Sequence, residues 1–205
     1  AKINKEFGTL SHKELLTNAI QLAEQGFPVS AGLAHDLQNM KKPLLESPEA
    51  AKIFFVKGEP LKRGDILKQL TLSKTLKKLS NKGPQDFYTG EIAKEFSSYS
   101  KENNGLISEE DLKNYKVRIL DPIKGTYRGH KILAMPPPSS GGVHIVQMLN
   151  ILEHWNLQQA GQNSAQAMHL MAETMKLAYA DRSKFLGDPD FSKIPIKGLT
   201  SKEYA

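Results

Sequence analysis

Met135-Pro136-Pro137-Pro138-Ser139-Ser140-Gly141-Gly142-Val143-His144-Ile145-Val146-Gln147-Met148-Leu149-Asn150-Ile151-Leu152-Glu153 is the stretch on which the fold turns. Three successive prolines offer no amide hydrogen, so a strand that runs into them loses its ladder and has to leave the sheet. The residues just before, His130–Met135, are composed as a strand, and so are Val117–Arg128. The two are predicted to pair tightly around Arg128-Gly129, with glycine absorbing a positive φ. After the prolines, Ser139-Ser140-Gly141-Gly142 leads into an apolar helix carrying Ile145, Met148, Leu149, Leu152 and Trp155.

Downstream, Ser164 is placed to cap a last long helix with a predicted inward stripe of Met168, Met171, Ala172, Met175, Ala178 and Tyr179. Gly187-Asp188-Pro189-Asp190 closes it with a turn. Upstream the pattern is helical. Ser11-His12-Lys13-Glu14 is a capping box, and Leu15, Ala19, Leu22 and Ala23 recur at helical spacing up to a glycine stop at Gly26, which predicts a helix over about 12–25. Ser30 caps a second helix with Leu33, Leu37 and Met40, and Ser47-Pro48-Glu49 opens a third, with a break expected at Lys42-Pro43 between them. Val56–Gly64, with Gly58, Pro60 and Gly64 in quick succession, reads as a loop. Leu72, Leu76 and Leu79 mark a helix ending near Gly83, and Ile92, Phe96 and Tyr99 one ending at Asn103-Asn104-Gly105. Ser108-Glu109-Glu110-Asp111 starts another, with Leu112 and Tyr115 turned inward. The class is therefore α+β and predominantly helical. With no linker and no internal repeat, residues 1–205 are expected to form one structural unit.

The 205 residues are 39% hydrophobic and 24% charged, values of an ordinary globular protein. The longest apolar runs, near Ile53–Val56 and Val143–Leu152, are too short for a membrane span. The first residues, Ala1 to Glu6, lack the pattern of an export leader, so any such signal is expected upstream. Cysteine is absent, which removes disulfides and thiolate chemistry. The formal charge of +6 permits an acidic partner. The lysines are dispersed rather than gathered into the single stripe of a nucleic-acid binder, and no nucleic-acid partner is expected.

The quoted stretch resembles the signature segment of the γ-glutamyltranspeptidases. A second segment, Ala178-Tyr179-Ala180-Asp181-Arg182-Ser183 with Leu186-Gly187-Asp188-Pro189-Asp190-Phe191, is similar to the same family. So are Ala23-Glu24-Gln25-Gly26-Phe27-Pro28-Val29, Phe87-Tyr88-Thr89-Gly90, Gly105-Leu106-Ile107 and Asp111-Leu112. The resemblance covers essentially the whole chain. It implies a partial large-subunit domain, residues 1–205, of a precursor in the N-terminal-nucleophile hydrolase class, which has a four-layer αββα sandwich.

In that family the precursor cuts itself before a threonine, and the new terminal threonine attacks the γ-glutamyl amide of glutathione and similar donors. The resemblance further implies partners in the rest of the large subunit and in the small subunit, a periplasmic or secreted location, and no cofactor. The family's nucleophile belongs to a Thr-Thr-His-Tyr/Phe-Ser-Val-Val-Asp type of segment expected after Ala205. Its carboxylate-binding arginine belongs to an Arg-Glu-x-Ala-Pro type of segment expected before Ala1, and its oxyanion glycines and serines belong to the small subunit. No catalytic, substrate-binding or metal-binding residue is thus assigned here. The family-motif residues Pro136, Pro137, Pro138, Ser139, Ser140, Gly141, Gly142, Tyr179, Asp181, Arg182, Gly187, Asp188 and Pro189 are expected to be structural.

Rival readings of these residues are weaker. Ser139, Ser140 and His144 lie close in sequence, yet Gly-x-Ser-x-Gly, the nucleophile elbow, is not the pattern. A helix cap and a close backbone approach explain them better. Asp181 and Arg182 could pair with each other or with neighbours, or face a subunit interface; a structural ion pair is favoured over substrate binding. The six histidines lack the spacing of a helical metal site, and Met168, Met171 and Met175 are read as core filling. Outside this class, the chain reads as a noncatalytic helical module docking on an acidic partner. Within it, related branches act on poly-γ-glutamate or on β-lactam side chains.

Overall fold

The computed structural model describes residues 1–205, which fold as two compact units, Ala1–Val117 and Arg118–Ala205. In the first, α1 (Lys2–Phe7) precedes α2 (His12–Gln25), β1 (Phe27–Pro28), α3 (Ala31–Asn39), α4 (Lys41–Leu45), α5 (Pro48–Phe54), β2 (Phe55–Val56), β3 (Glu59–Pro60) and β4 (Ile66–Leu67). Then come α6 (Leu70–Lys82), α7 (Asp86–Thr89), α8 (Glu91–Glu102) and α9 (Glu109–Asn114). The second holds β5 (Ile123–Tyr127), β6 (His130–Ala134), α10 (Gly141–Leu152), α11 (Leu157–Ala160), α12 (Ala165–Phe185) and α13 (Ile196–Leu199). No helix is long and apolar enough to cross a membrane.

Local chemistry sets the helix starts of the first unit. Ser11 Oγ accepts from the Glu14 amide at 3.2 Å while Glu14 accepts from the Ser11 amide at 2.9 Å, a reciprocal capping box that Ser108 and Asp111 repeat at α9. Ser30 and Ser47 cap α3 and α5 through the amides of Leu33 and Ala50. Leu16, Ile20 and Ala23 form the inner face of α2; of the expected Leu15, Ala19, Leu22 and Ala23, only Ala23 is buried and the other three are exposed. The core below gathers Val29, Leu37, Leu61 and Leu67, with Phe27, Leu33, Ile53 and Phe54 packed against it.

Two readings of this unit need correction. Lys42-Pro43 does not break the chain. The break comes at Met40, and Pro43 sits near the start of α4, where an amide hydrogen would have no partner within the helix. Val56–Gly64 is not wholly loop, because Phe55 pairs with Pro60 and Val56 with Glu59 in a tight hairpin. Its turn, Lys57-Gly58, has positive φ at both positions, which matches the strand twist. A second bridge, Phe27 to Leu67 and Pro28 to Ile66, joins segments far apart in sequence and left no local signal.

In the second unit, β5 and β6 pair antiparallel from Ile123 with Ala134 to Tyr127 with His130, around Arg128-Gly129. The first strand begins at Ile123, not Val117. Its partner ends at Ala134 because Met135 leads into prolines, so residues before Pro122 have nothing to pair with. Gly125 lies under α10, where an added Cβ would stand 2.7 Å from Val146 Cγ1. Ile123, Val143, Val146 and Leu199 form the core, flanked by Ile132, Ala134, Phe185, Leu186, Ile194 and Ile196. Burying each of these valines is worth about 1.5–3 kcal/mol.

The methionine stripe of α12 does not face this core. Ala167, Thr174 and Ala178 are buried, whereas Met168, Met171, Met175 and Tyr179 are 41–58% exposed. The buried set is small, which lets the α12 backbone approach α10 closely. The methionines fall one residue away, on the neighbouring face.

Candidate functional site

The motif residues converge where β6 leaves the sheet. Pro137 is buried, the Pro137–Pro138 bond is cis, and the chain turns directly into α10. Ser139 Oγ accepts from the Gly141 amide at 3.3 Å, while Ser140, at the helix start, makes no side-chain cap. Gly142 is the tightest point of the unit. A Cβ there would lie 2.0 Å from the Met135 carbonyl oxygen, so only glycine lets the helix start against the end of the strand.

The start of α10 meets the end of α12. Arg182 donates through Nε to Ser140 Oγ at 3.3 Å, and no carboxylate pairs with it. Of the alternatives for Asp181 and Arg182, pairing with each other is absent and bonds to neighbours are present: the Asp181 carboxylate accepts from Gln147 Nε2 and from the Tyr204 hydroxyl. Adjacent helix positions point about 100° apart, so the two side chains reach different neighbours. The bond to Asp181 raises the Tyr204 hydroxyl above the ordinary phenol range. Gly187 joins Pro138, Ser140, Arg182, Ser183 and Leu186 around a small polar concavity. Asp188 shapes the following turn, accepting from the amides of Asp190, Phe191 and Ser192, with Pro189 inside it. Arg118 grips that turn with Nη1 2.6 and 2.7 Å from the two Asp190 oxygens.

A buried polar seam along α10 was not singled out in the sequence. His144, Gln147 and Asn150 are 5%, 2% and 2% exposed. Asn150 Nδ2 donates to the carbonyls of Thr200 and Ser201 at 3.0 and 3.2 Å, fastening the segment after α13. The His144 ring lies 5.2 Å from that of Tyr179 and is held below the usual histidine range, first by burial and then by the charge of Arg182. Polar residues at every third position of an otherwise apolar helix were the available signal.

Further along, Glu153 accepts from the Arg128 amide and from Lys202 Nζ, which also donates to the Thr126 carbonyl at 3.0 Å. Arg128 Nη2 reaches the Trp155 carbonyl at 2.8 Å, so the hairpin turn is tied to the end of α10. The bond to Lys202, then that from Arg128, holds the Glu153 carboxyl below the usual range.

This arrangement ties the strand exit, α10 and α12 together. Ser139 and Ser140 serve an amide and a guanidinium, and His144 makes no hydrogen bond with either. No three His, Cys, Asp or Glu side chains converge as a metal site would need.

A strand pair covered by α10, which packs in turn against α12 and is entered through the proline exit, is the geometry of part of an N-terminal-nucleophile hydrolase fold. The chain superimposes on the γ-glutamyltranspeptidase structure of Helicobacter pylori with a TM-score of 0.93 and 38% identity, covering 99% of this chain and 58% of that one. The family model described as gamma-glutamyltranspeptidase matches residues 1–205, and the chain belongs to that family of enzymes. It is 48% identical over 201 residues to the glutathione hydrolase proenzyme of Escherichia coli (strain K12), covering 98% of this chain and 35% of that relative. It is 42% identical over 199 residues to the acylase ACY 1 proenzyme of Pseudomonas sp. (strain V22), covering 97% of this chain and 36% of that relative. The chain thus spans about a third of the length of the curated relatives it matches.

Proposed function

We propose that residues 1–205 are a partial large-subunit domain of a γ-glutamyltranspeptidase precursor. The complete protein transfers or hydrolyses the γ-glutamyl group of glutathione and related compounds. The observation that carries this reading is the family match across all of residues 1–205, together with relatives named proenzymes.

In this reading the precursor cuts itself before a threonine outside residues 1–205. That threonine's hydroxyl oxygen attacks the γ-carbonyl carbon of the donor, and its proton passes to the threonine's own α-amine. The C–N bond breaks, the leaving amine takes the proton, and a glutamyl ester remains. Water or an amino-acid or peptide acceptor then attacks the ester carbonyl and frees the threonine. The motif residues from Pro136 to Gly142, with Tyr179, Asp181, Arg182, Gly187, Asp188 and Pro189, contribute position rather than chemistry. The partners are the rest of the large subunit and the small subunit, and the setting is the periplasm or outside the cell.

Intact-mass analysis of the full-length protein after exposure to a γ-glutamyl donor tests this. The expected result is two subunits and a glutamyl adduct on the newly exposed threonine. An uncleaved chain that turns over donor, or an adduct elsewhere, overturns it. The identity to an acylase proenzyme supports a second reading within the same machinery, in which the donor is another acyl amide, and we take a β-lactam side-chain amide as the candidate. Comparing turnover of the two donors by one preparation separates them.

A further inference from the structure

The last turn of α8 is closed by a Schellman motif whose two end residues are Asn104 and Gly105. The Asn104 amide donates to the Lys101 carbonyl at 3.2 Å and the Gly105 amide to the Ser100 carbonyl at 2.7 Å. Such an end needs a residue in the left-handed region, and Asn104 supplies it with φ 57°. The residue after it has to lack a side chain, since a Cβ at Gly105 would lie 2.5 Å from Ser100 Oγ and 3.0 Å from the Ser100 carbonyl oxygen. Each half of Asn104-Gly105 thus has its own packing cause, and together they make the only Asn-Gly pair in the sequence. Both residues are exposed, as are all of residues 101–110.

We propose that Asn104-Gly105 is a site of spontaneous modification, at which the folded protein loses ammonia and acquires an isoaspartyl or aspartyl residue. The deprotonated Gly105 nitrogen attacks Asn104 Cγ, the Cγ–Nδ2 bond breaks, ammonia leaves with the amide proton, and a five-membered succinimide closes. Water then opens the ring. Cleavage at the main-chain carbonyl routes the backbone through Cβ and Cγ, whereas cleavage at Cγ leaves an ordinary aspartate. A side chain on the attacking residue hinders this approach, and glycine has none. Asn163 is also left-handed, with φ 56°, but is followed by Ser164, so it serves as the internal comparison. The Gly105 N–H is held by Ser100, so attack waits for the last turn of α8 to open, which helix ends do readily. Either product puts a carboxylate at the negative end of the α8 dipole. The isoaspartyl form also adds a backbone atom between the two closing bonds, and the turn no longer shuts. Only water and this chain take part, so the proposal stands independently of the precursor reading.

The test is to age the full-length protein in mildly alkaline buffer, folded and in urea, and to digest it with trypsin. The peptide of residues 102–113 is then read by fragment masses and by isoaspartyl methyltransferase labelling. The expected result is acid in place of amide at Asn104 ahead of every other asparagine, Asn103 and Asn163 included, with isoaspartate as the larger product. In urea the rate should rise on the order of tenfold, the factor by which the closed turn protects the Gly105 amide. Amides of the last turn of α8 should exchange hydrogen on the order of tenfold faster in the aged protein. Asn104→Gly keeps a residue suited to the left-handed turn and removes the reacting amide, so it should show no modification and no loosening on ageing. Isoaspartate arising first at another position overturns the proposal, and so does an Asn104 that keeps its amide in the folded protein while the unfolded chain is converted. Equal rates in the folded and unfolded chains, or an aged Asn104→Gly variant whose α8 loosens as the parent does, also overturn it.

Discussion

Gln147 of α10 donates through Nε2 to Asp181 Oδ2 of α12, 34 residues along the chain. Asp181 closes the same contact on its other oxygen with the Tyr204 hydroxyl at 3.1 Å. One carboxylate thereby fixes α10, α12 and the segment after α13 together, and the arginine beside it is released for another contact.

Asp181→Ala leaves Gln147 buried without its acceptor. An unsatisfied buried donor costs about 1–3 kcal/mol, and urea denaturation of the purified protein should show a loss in that range. Gln147→Leu combined with Asp181→Leu should cost less than the sum of the two single changes, because the interaction is lost once. Strict additivity contradicts the pairing.

Gly142→Ala places a methyl group 2.0 Å from the Met135 carbonyl oxygen. Backbone on both sides has to move, and the expected loss is about 3 kcal/mol or more. Gly141→Ala, one residue earlier, meets nothing closer than the Ser139 hydroxyl at 3.5 Å and should be far milder. Equal melting temperatures for the two variants would refute the close approach.

The proline exit and the serine caps were legible because their causes are local. Three missing amide hydrogens and an oxygen three residues before an orphan amide can be read without knowing the rest of the chain. The buried faces of α2 and α12 were not. In both helices most of the stripe is displaced by one residue. In α12 the cause is that small side chains, Ala167, Thr174 and Ala178, set the closest approach. In α2 adjacent apolar residues, Leu15 beside Leu16 and Ala19 beside Ile20, leave the face undecided. Which partners Asp181 and Arg182 take was not legible, because Gln147, Tyr204 and Ser140 are 23 to 42 residues away. The bridge of Phe27 with Leu67 is likewise a product of tertiary packing.

His144 is disfavoured as a cation by burial and by Arg182. Its folded pKa lies below the unfolded value of about 6.5. Above that value both states are neutral and the residue adds no pH dependence. As pH falls through it, the unfolded chain binds the proton first and stability declines. His144→Gln should flatten the fall in melting temperature between about pH 7 and pH 5. An unchanged slope would contradict the assignment.

Glu153 behaves in the opposite chemical sense. Its folded pKa is depressed by Lys202 and the Arg128 amide, so the stabilisation is present above the unfolded value and is lost as pH falls through the folded one. Glu153→Gln should weaken the protein at neutral pH and make its acid unfolding below about pH 4.5 less steep. A variant as stable as the parent at pH 7 would show that the tie between hairpin and α10 contributes nothing.

Under the proposed function, residues 1–205 position the backbone of a γ-glutamyl enzyme and its reacting groups lie elsewhere in the protein. Release of p-nitroaniline from γ-glutamyl-p-nitroanilide, measured on residues 1–205 alone beside the full-length protein, bears on this most directly. Turnover by the full-length protein and none by residues 1–205 is the predicted result; turnover by residues 1–205 alone would contradict it.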